Sequence, residues 1–443
     1  MLMTADESSS SATTFMRTDS VDGSLSNTYM IGHGRVRLPK EWQVKPLSAV
    51  ASIKTGPFGS SLHESDYVED GTPIITVEHL SGQGVIHSGL PLVSDDDRKR
   101  LAAYELRTND IVFSRVGSID RSSLVSDTED GWLFSGRLLR VRTSKDTHAP
   151  YLNYHFADEI FKRQVRNVAV GQTMASLNTK ILGDVFVILP PLPEQRAIAA
   201  ALSDADSLIG ALDALIAKKQ SVKQATMQRL LAGETRLPGF LGEWETRRLG
   251  DLGKFAKGSD IARNDLSSDG FPCILYGELY TRYDNYIVNP ISKVSVDTAQ
   301  AALPIGQGDL LFAGSGETIE DIGRCAAYLG SSTAYAGGDI IVLTPSEGNS
   351  LYLSHLLNHG SVSEQKARMG HGATIAHINS SSLAHIEVWF PPIPEQHAIA
   401  AVLSDMDAEI AALQERRDKT IALKEGMMQE LLTGNTRLPE AKE

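Results

Sequence analysis

Only two cysteines, Cys273 and Cys325, occur in 443 residues. That is too few for a disulfide framework or a four-thiolate zinc site. Long apolar runs are also missing: the most apolar stretch, Ala197 to Ala217, is interrupted by Asp204, Asp206 and Asp213, which argues against a membrane span. The N-terminal "MLMTADESSSSATTF" has no apolar block of the kind a secretory signal needs. Together these absences point to the cytoplasm. There is no basic excess, since 42 Lys and Arg stand against 55 Asp and Glu for a net charge of −13. Such a balance runs opposite to the usual footprint of a nucleic-acid binder. The deficit is uneven, however: Trp42 to Leu189 carries 16 basic and 18 acidic residues, so that region is nearly neutral.

Catalytic signatures are missing as well. No Gly-x4-Gly-Lys-Ser/Thr phosphate loop is present, which argues against nucleotide hydrolysis by this chain. "GSGETI" at Gly314 and "GHGATI" at Gly370 lack the third glycine of a dinucleotide fingerprint and read as turns. His355 and His359 stand four apart, but no glutamate completes a metalloprotease arrangement, so they read as packing or surface histidines. His371 and His377 read the same way. The sequence does not look like an enzyme and offers no catalytic, cofactor or metal residues.

What the chain does contain is an internal repeat. "PPLPEQRAIAAALSDAD" from Pro190 returns as "PPIPEQHAIAAVLSDMD" from Pro391, and about 27 of the 50 positions from Pro190 to Gly239 are identical in the second copy. Upstream, "GQTMASLN" at Gly171 resembles "GATIAHIN" at Gly372, and "NDIVFS" at Asn109 resembles "GDLLFA" at Gly308. The chain is two copies of one unit, each a variable body followed by a long helix. Pro193 and Glu194 suit a helix N-terminus, and Gly233 and Gly434 suit its end. Ile198, Leu202, Ile209, Leu212 and Ile216 form an apolar seam at coiled-coil spacing, repeated as Ile399, Leu403, Ile410 and Leu413. Each helix is expected to run about 39 residues, or about 58 Å.

The bodies read as short strands ("TPIITV", "DIVFSR", "LLRVRT", "PCILYG", "DLLFAG", "DIIVLT") with single helices near Tyr151–Val168 and Leu351–Arg368. The expected fold is α+β, with the two long helices packed as an antiparallel coiled coil and a pseudo-twofold repeat. Expected segments are a disordered Ser/Thr-rich arm over 1–34, a first body over 35–189, a central helix over 190–236, a second body over 237–390 and a C-terminal helix over 391–438.

In the doubled "PPLPEQRAIAAAL" and "PPIPEQHAIAAVL", with "TGPFGSSL" at Thr55, "NDIVFSRVGSIDRSSLV" at Asn109 and the "GQTMASLN" segment, the chain resembles the specificity subunit of type I restriction–modification systems. The likeness runs from Arg35 to Pro439; the Ser-rich arm has no counterpart in that family. It implies two target recognition domains, each reading half of a bipartite double-stranded DNA target, with the helices as the ruler between them. It also implies two methyltransferase subunits binding S-adenosylmethionine and two motor–nuclease subunits using ATP and Mg2+, with no cofactor in this chain. A related system with a methyltransferase but no restriction partner, and a duplicated scaffold that binds only proteins, are the alternative readings.

Base and phosphate contacts call for Arg, Lys and amide or hydroxyl side chains on exposed loops. The candidates in the first body are Lys54, Phe58 and Ser60 from "KTGPFGSS", Arg115 and Arg121 from "SRVGSIDR", and Gln172 and Thr173 from "GQT". Their aligned counterparts in the second body are Lys257, Arg324, His371 and Thr374.

Overall fold

The computed structural model describes residues 17–18, 27–31, 34–57, 62–82, 84–170, 175–258, 261, 263–319, 321–372 and 375–438. It divides into two compact units, Met1–Asp213 with Glu415–Glu443, and Ala214–Gln414. Strands ending at Leu189 and Phe390 lead into the long helices, and the division into units falls inside those helices.

In the first unit, β1 (Gln43–Pro46) precedes β2 (Ala51–Thr55), β3 (Asp110–Ser114), β4 (Ser122–Leu124) and β5 (Leu138–Thr143). The last four form an antiparallel sheet in the order β4-β3-β5-β2. Every residue of β3 is buried, as expected for the centre of a sheet with a core on both faces. Helices α1 (Ala149–Ala157) and α2 (Glu159–Val168) follow, then β6 (Phe186–Leu189), which pairs with β1. A single helix was expected where α1 and α2 stand. Asp158 divides it, because its backbone is extended and its carboxylate caps α2 by accepting from the Ile160 N–H. Within the segment 1–34, Asn27–Ile31 pairs antiparallel with Gly34–Leu38 and Tyr29 is buried in the first core. Most of the arm's other residues lie outside the described ones.

The second unit repeats this plan. After α3 (Leu192–Leu231) come β7 (Glu245–Arg248), β8 (Gly253–Lys257), β9 (Leu310–Ala313), β10 (Cys325–Tyr328) and β11 (Ile340–Pro345). The sheet order is β8-β11-β9-β10, extended by Tyr286–Ile287. Helices α4 (Ser350–Leu357) and α5 (Gly360–Met369) replace the expected single helix, and β12 (Glu387–Phe390) pairs with β7 before α6 (Ile393–Leu431) begins. α3 and α6 have 40 and 39 residues, matching the sequence reading.

Each unit contains its own antiparallel pairing of the long helices. In the first, Lys424 meets Asp206 at 2.6 Å and Arg417 meets Asp213 at 3.4 Å. In the second, Lys219 meets Glu409 at 2.6 Å and Lys223 meets Asp407. Positions on α3 rise as their partners on α6 fall. Ile198, Leu202, Ile209, Leu212, Ile216, Ile399, Leu403 and Ile410 are buried as the seam predicts, and Leu413 is half-buried. Burying a side chain of this size stabilises by about 1.5–3 kcal/mol.

The repeated Pro-Glu-Gln motif has a structural cause. Glu194 accepts a 3.0 Å bond from the Trp42 indole and two from Arg437, at 2.5 and 2.8 Å. Glu395 repeats this with Trp244 at 3.1 Å and Arg236 at 2.5 and 2.6 Å. Arg236 and Arg437 come from the Thr-Arg-Leu-Pro segments, which follow Gly233 and Gly434, the left-handed helix ends at φ 71° and 73°. The neighbouring glutamines bind backbone: Gln195 accepts from the His148 N–H at 2.9 Å, and Gln396 from the Asn349 N–H at 2.8 Å. Their amides donate to Pro190 and Pro391 carbonyls at 2.8 and 2.9 Å.

Burial lowers the pKa of two histidines of the bodies strongly. His155 accepts from the Ile188 N–H at 3.2 Å, and burial pushes its pKa down to about 3. His355 has no hydrogen-bond partner on either ring nitrogen, and burial, with Lys223 nearby, pushes its pKa down to about 4.

Replacing Glu194 by Ala leaves the buried Trp42 N–H without an acceptor and should destabilise the first unit by about 2–3 kcal/mol. The check is hydrogen exchange, with faster opening of first-unit amides and unchanged second-unit protection; Glu194→Gln should lose less. For the histidines, the folded pKa lies below the unfolded value of about 6.5. Their contribution is therefore complete above that pH and declines as pH falls towards 4, by about 1.4 kcal/mol per unit for each histidine. Urea unfolding between pH 7 and 5 should show this slope, and His155→Phe should reduce it.

Candidate nucleic-acid interface

In the first unit the register of the sheet gathers three strand ends. Thr55 lies opposite Leu139 and Ser114 opposite Leu138, so β2 and β3 finish where β5 starts. The Gly56 N–H donates to the Leu138 carbonyl at 3.1 Å. A Cβ at Gly56 would stand 2.1 Å from the Ser135 oxygen, so only glycine permits this approach. The Arg115 N–H donates to the Arg137 carbonyl, the Leu177 N–H to the Arg115 carbonyl, and the Gly117 N–H to the Ala175 carbonyl, at 2.9, 2.9 and 3.1 Å. The loops after β2 and β3, the turn before β5 and the segment after α2 therefore share one end of the sheet.

The second unit builds the same cluster. The Gly258 N–H donates to the Ile340 carbonyl at 2.8 Å, Gly314 to Asp339 at 2.7 Å, and Ile378 to Gly314 at 2.9 Å. Ser315–Gly316 pairs with Ala376–His377 as a short antiparallel ladder, continued by a bridge between His371 and His377. From behind, Lys366 donates to the Gly323 carbonyl at 2.8 Å. Lys366 is buried, and that burial pushes its pKa down to about 8.

The sequence-predicted residues divide on inspection. Lys54 is half-buried; its ammonium donates to the Ala103 carbonyl at 2.7 Å and lies 4.6 Å from the centre of the Tyr104 ring. Arg115 clamps the cluster, with Nε donating to the Leu177 carbonyl at 3.2 Å and a terminal nitrogen to the Gly136 carbonyl at 3.1 Å. Both side chains are thus engaged with backbone. Arg121 and Lys257 are exposed. Asp120 pairs with Arg166 and Asp127 accepts from Thr108, so neither takes up Arg121. Arg324 is half-buried, pairs with Asp284 at 3.4 Å and lines a cavity of about 1050 Å³ with Lys223, His355 and Asp407. His371 is exposed. Phe58, Ser60, Gln172, Thr173 and Thr374 lie outside the described residues.

Sequence reading missed Arg137, an exposed cation in the turn before β5, and His377. Register carries the signal: backbone bonds match Arg137 to Asp339 and Ser176 to His377, which a search for repeated residues passes over. It also missed an apolar stripe on α3, where Leu208, Leu215 and Val222 are 39%, 39% and 45% exposed at heptad spacing. The matching positions on α6 are Glu409, Arg416 and Leu423.

Among the described residues no His, Cys, Asp and Glu cluster could hold a metal ion, and no helix is long and apolar enough to cross a membrane. A type I restriction enzyme MjaVIII specificity subunit from Methanocaldococcus jannaschii is 22% identical over 429 residues, covering 92% of this chain and 95% of its own. A candidate MjaX specificity subunit from the same organism is 25% identical over 425 residues, covering 90% and 95%. In fold, the crystal structure of the type I restriction-modification S subunit from M. genitalium matches with a TM-score of 0.57 at 14% identity, over 88% of this chain and 96% of that one. The model of the type I restriction modification DNA specificity domain matches twice, at residues 39–221 and 242–423. With that domain covering most of its length in two copies, the chain belongs to the family of type I restriction–modification specificity subunits.

Proposed function

We propose that each body reads one half of a bipartite DNA sequence through the loop cluster at the end of its sheet. The observation that carries this reading is the contrast between scaffold and loops. The backbone bonds joining the loops repeat from unit to unit, while the matched side chains differ: Arg115 against Gly314, Arg137 against Asp339, Ser176 against His377. A protein that reads two unlike half-sites needs that combination, because direct readout depends on which donors and acceptors meet each base edge. In this reading Arg121, Arg137, Lys257 and His371 contact DNA, and Arg115 and Lys54 hold loops in shape.

The two helices set the distance between half-sites, and two methyltransferase subunits dock on the chain, supplying S-adenosylmethionine binding and adenine methylation. The exposed Leu208, Leu215 and Val222 stripe favours a partner helix at α3, since apolar side chains at heptad spacing pack into a facing helix. Two motor–nuclease subunits using ATP and Mg2+ complete the assembly, and the net charge of −13 leaves much of the positive field around DNA to these partners. The complex works in the cytoplasm.

The test is methylome sequencing of a methylation-free host expressing this chain with its methyltransferase partner. A bipartite motif with adenine methylation on both strands is expected; no methylation by a folded, associated complex would overturn the reading. In the same assay Arg121→Ala should weaken selection at one half-site and Lys257→Ala at the other, each about tenfold. Leu215→Lys should weaken methyltransferase association about tenfold in a binding titration, as burying a lysine in a helix interface does.

A further inference from the structure

The loop cluster of the second unit contains a chain of three polar groups with no counterpart in the first. Ser315 Oγ lies 2.7 Å from Asp339 Oδ2 and 2.8 Å from His377 Nδ1. Ser315 is buried and Asp339 is half-buried, while His377 is exposed. The backbone register places Val116, Arg137 and Ser176 at the matching positions of the first unit, none of which could form the same chain.

The direction of the bonds follows from what each group can offer. An ionised carboxylate only accepts, so the single serine proton goes to Asp339. Ser315 Oγ must then accept from His377, which places the imidazole proton on Nδ1. In the neutral ring the other nitrogen, Nε2, is then a hydrogen-bond acceptor, and His377 is exposed. Two further features hold the ring in place. Ser315 and His377 face each other in the short ladder, and Tyr280 donates to the Ser315 carbonyl at 3.1 Å. At Gly316 a Cβ would stand 2.8 Å from the Tyr280 hydroxyl, so the tyrosine sits hard against this ladder. The acceptor is thus fixed in tautomer and direction before any ligand arrives, which lowers the ordering cost of binding.

Resting on the proposed DNA-reading function, we infer that His377 is a specificity-determining residue of the second body, presenting Nε2 to an exocyclic amino group of a base, adenine N6 or cytosine N4. These are the two base-edge donors of the major groove. Ser315 and Asp339 act as positioning residues that select the accepting tautomer.

The experiment is selection from randomised DNA by the complex of the full chain with its methyltransferase partner, comparing wild type with four variants. His377→Ala should lower discrimination at one base pair of the second body's half-site about tenfold, the loss of a base-edge hydrogen bond, with the first half-site unchanged. Ser315→Ala should lower it less, because the ring stays but its tautomer is released. The decisive pair is His377→Gln against His377→Asn. Glutamine returns an acceptor near the Nε2 position and should restore part of the discrimination. Asparagine reaches only the Nδ1 position, can still bond Ser315, and should behave like alanine. Rescue by asparagine but not glutamine, or unchanged discrimination in His377→Ala, would overturn the inference. Failure of the wild-type complex to select any sequence would instead overturn the underlying DNA-reading function.

Discussion

A carboxylate locked between an indole and a guanidinium organises this protein twice. Glu194 and Glu395 each begin a long helix, and each is nearly or fully buried. A buried carboxylate is costly unless its oxygens are bonded and its charge is matched. Here Trp42 or Trp244 supplies a neutral donor and Arg437 or Arg236 a forked, charged one. The tryptophan belongs to the start of a body and the arginine follows the end of the opposing helix. In the first unit one side chain therefore joins three stretches of chain that are far apart in sequence, whereas in the second Glu395 reaches back to Arg236 and Trp244, which are close neighbours in the chain. The adjacent glutamine ties the helix start to the residue just before α1 or α4. Two consecutive residues thus set how a helix leaves its body.

Around that fixed frame the two bodies differ where difference is useful. Their backbone bonds at the loop end of the sheet are nearly interchangeable, yet the side chains there run from cationic in the first unit to a serine, aspartate and histidine chain in the second. A rigid scaffold with variable loop chemistry is how recognition surfaces are generally built. It also separates two roles for arginine within one loop. Arg115 spends its donors on carbonyls and shapes the surface, whereas Arg121, a few residues on, remains exposed.

The long helices were fully legible in sequence. Their seam is periodic, their ends carry proline and glycine, and duplication shows every position twice. Strands such as Asp110–Ser114 and Ile340–Pro345 were legible for similar reasons, as apolar runs between turn signals. The break between α1 and α2 was not, because Asp158 is an ordinary helix-surface residue until its carboxylate is seen capping the next helix. The residues proposed to read DNA were the least legible. Composition marks Lys54 and Arg115 as donors but cannot say that carbonyls already claim them. His377 and Arg137 acquire meaning only from strand register, which aligns them with unlike residues. Positions that differ between the two bodies do not repeat, so repetition in the sequence does not mark them.

The arginine that closes the first unit stands at position 437, after the whole of the second unit has been made. Ala214–Gln414 is continuous in sequence, and its lock needs only Arg236, Trp244 and Glu395, all within that stretch. On the ribosome the second unit can therefore complete its core while Glu194 still lacks its guanidinium. The first body, although synthesised earlier, gains the last of its contacts only once Arg437 has been made. Two units of almost the same design thus differ in when their parts become available: the lock of the second lies within Ala214–Gln414, while that of the first needs Arg437 as well.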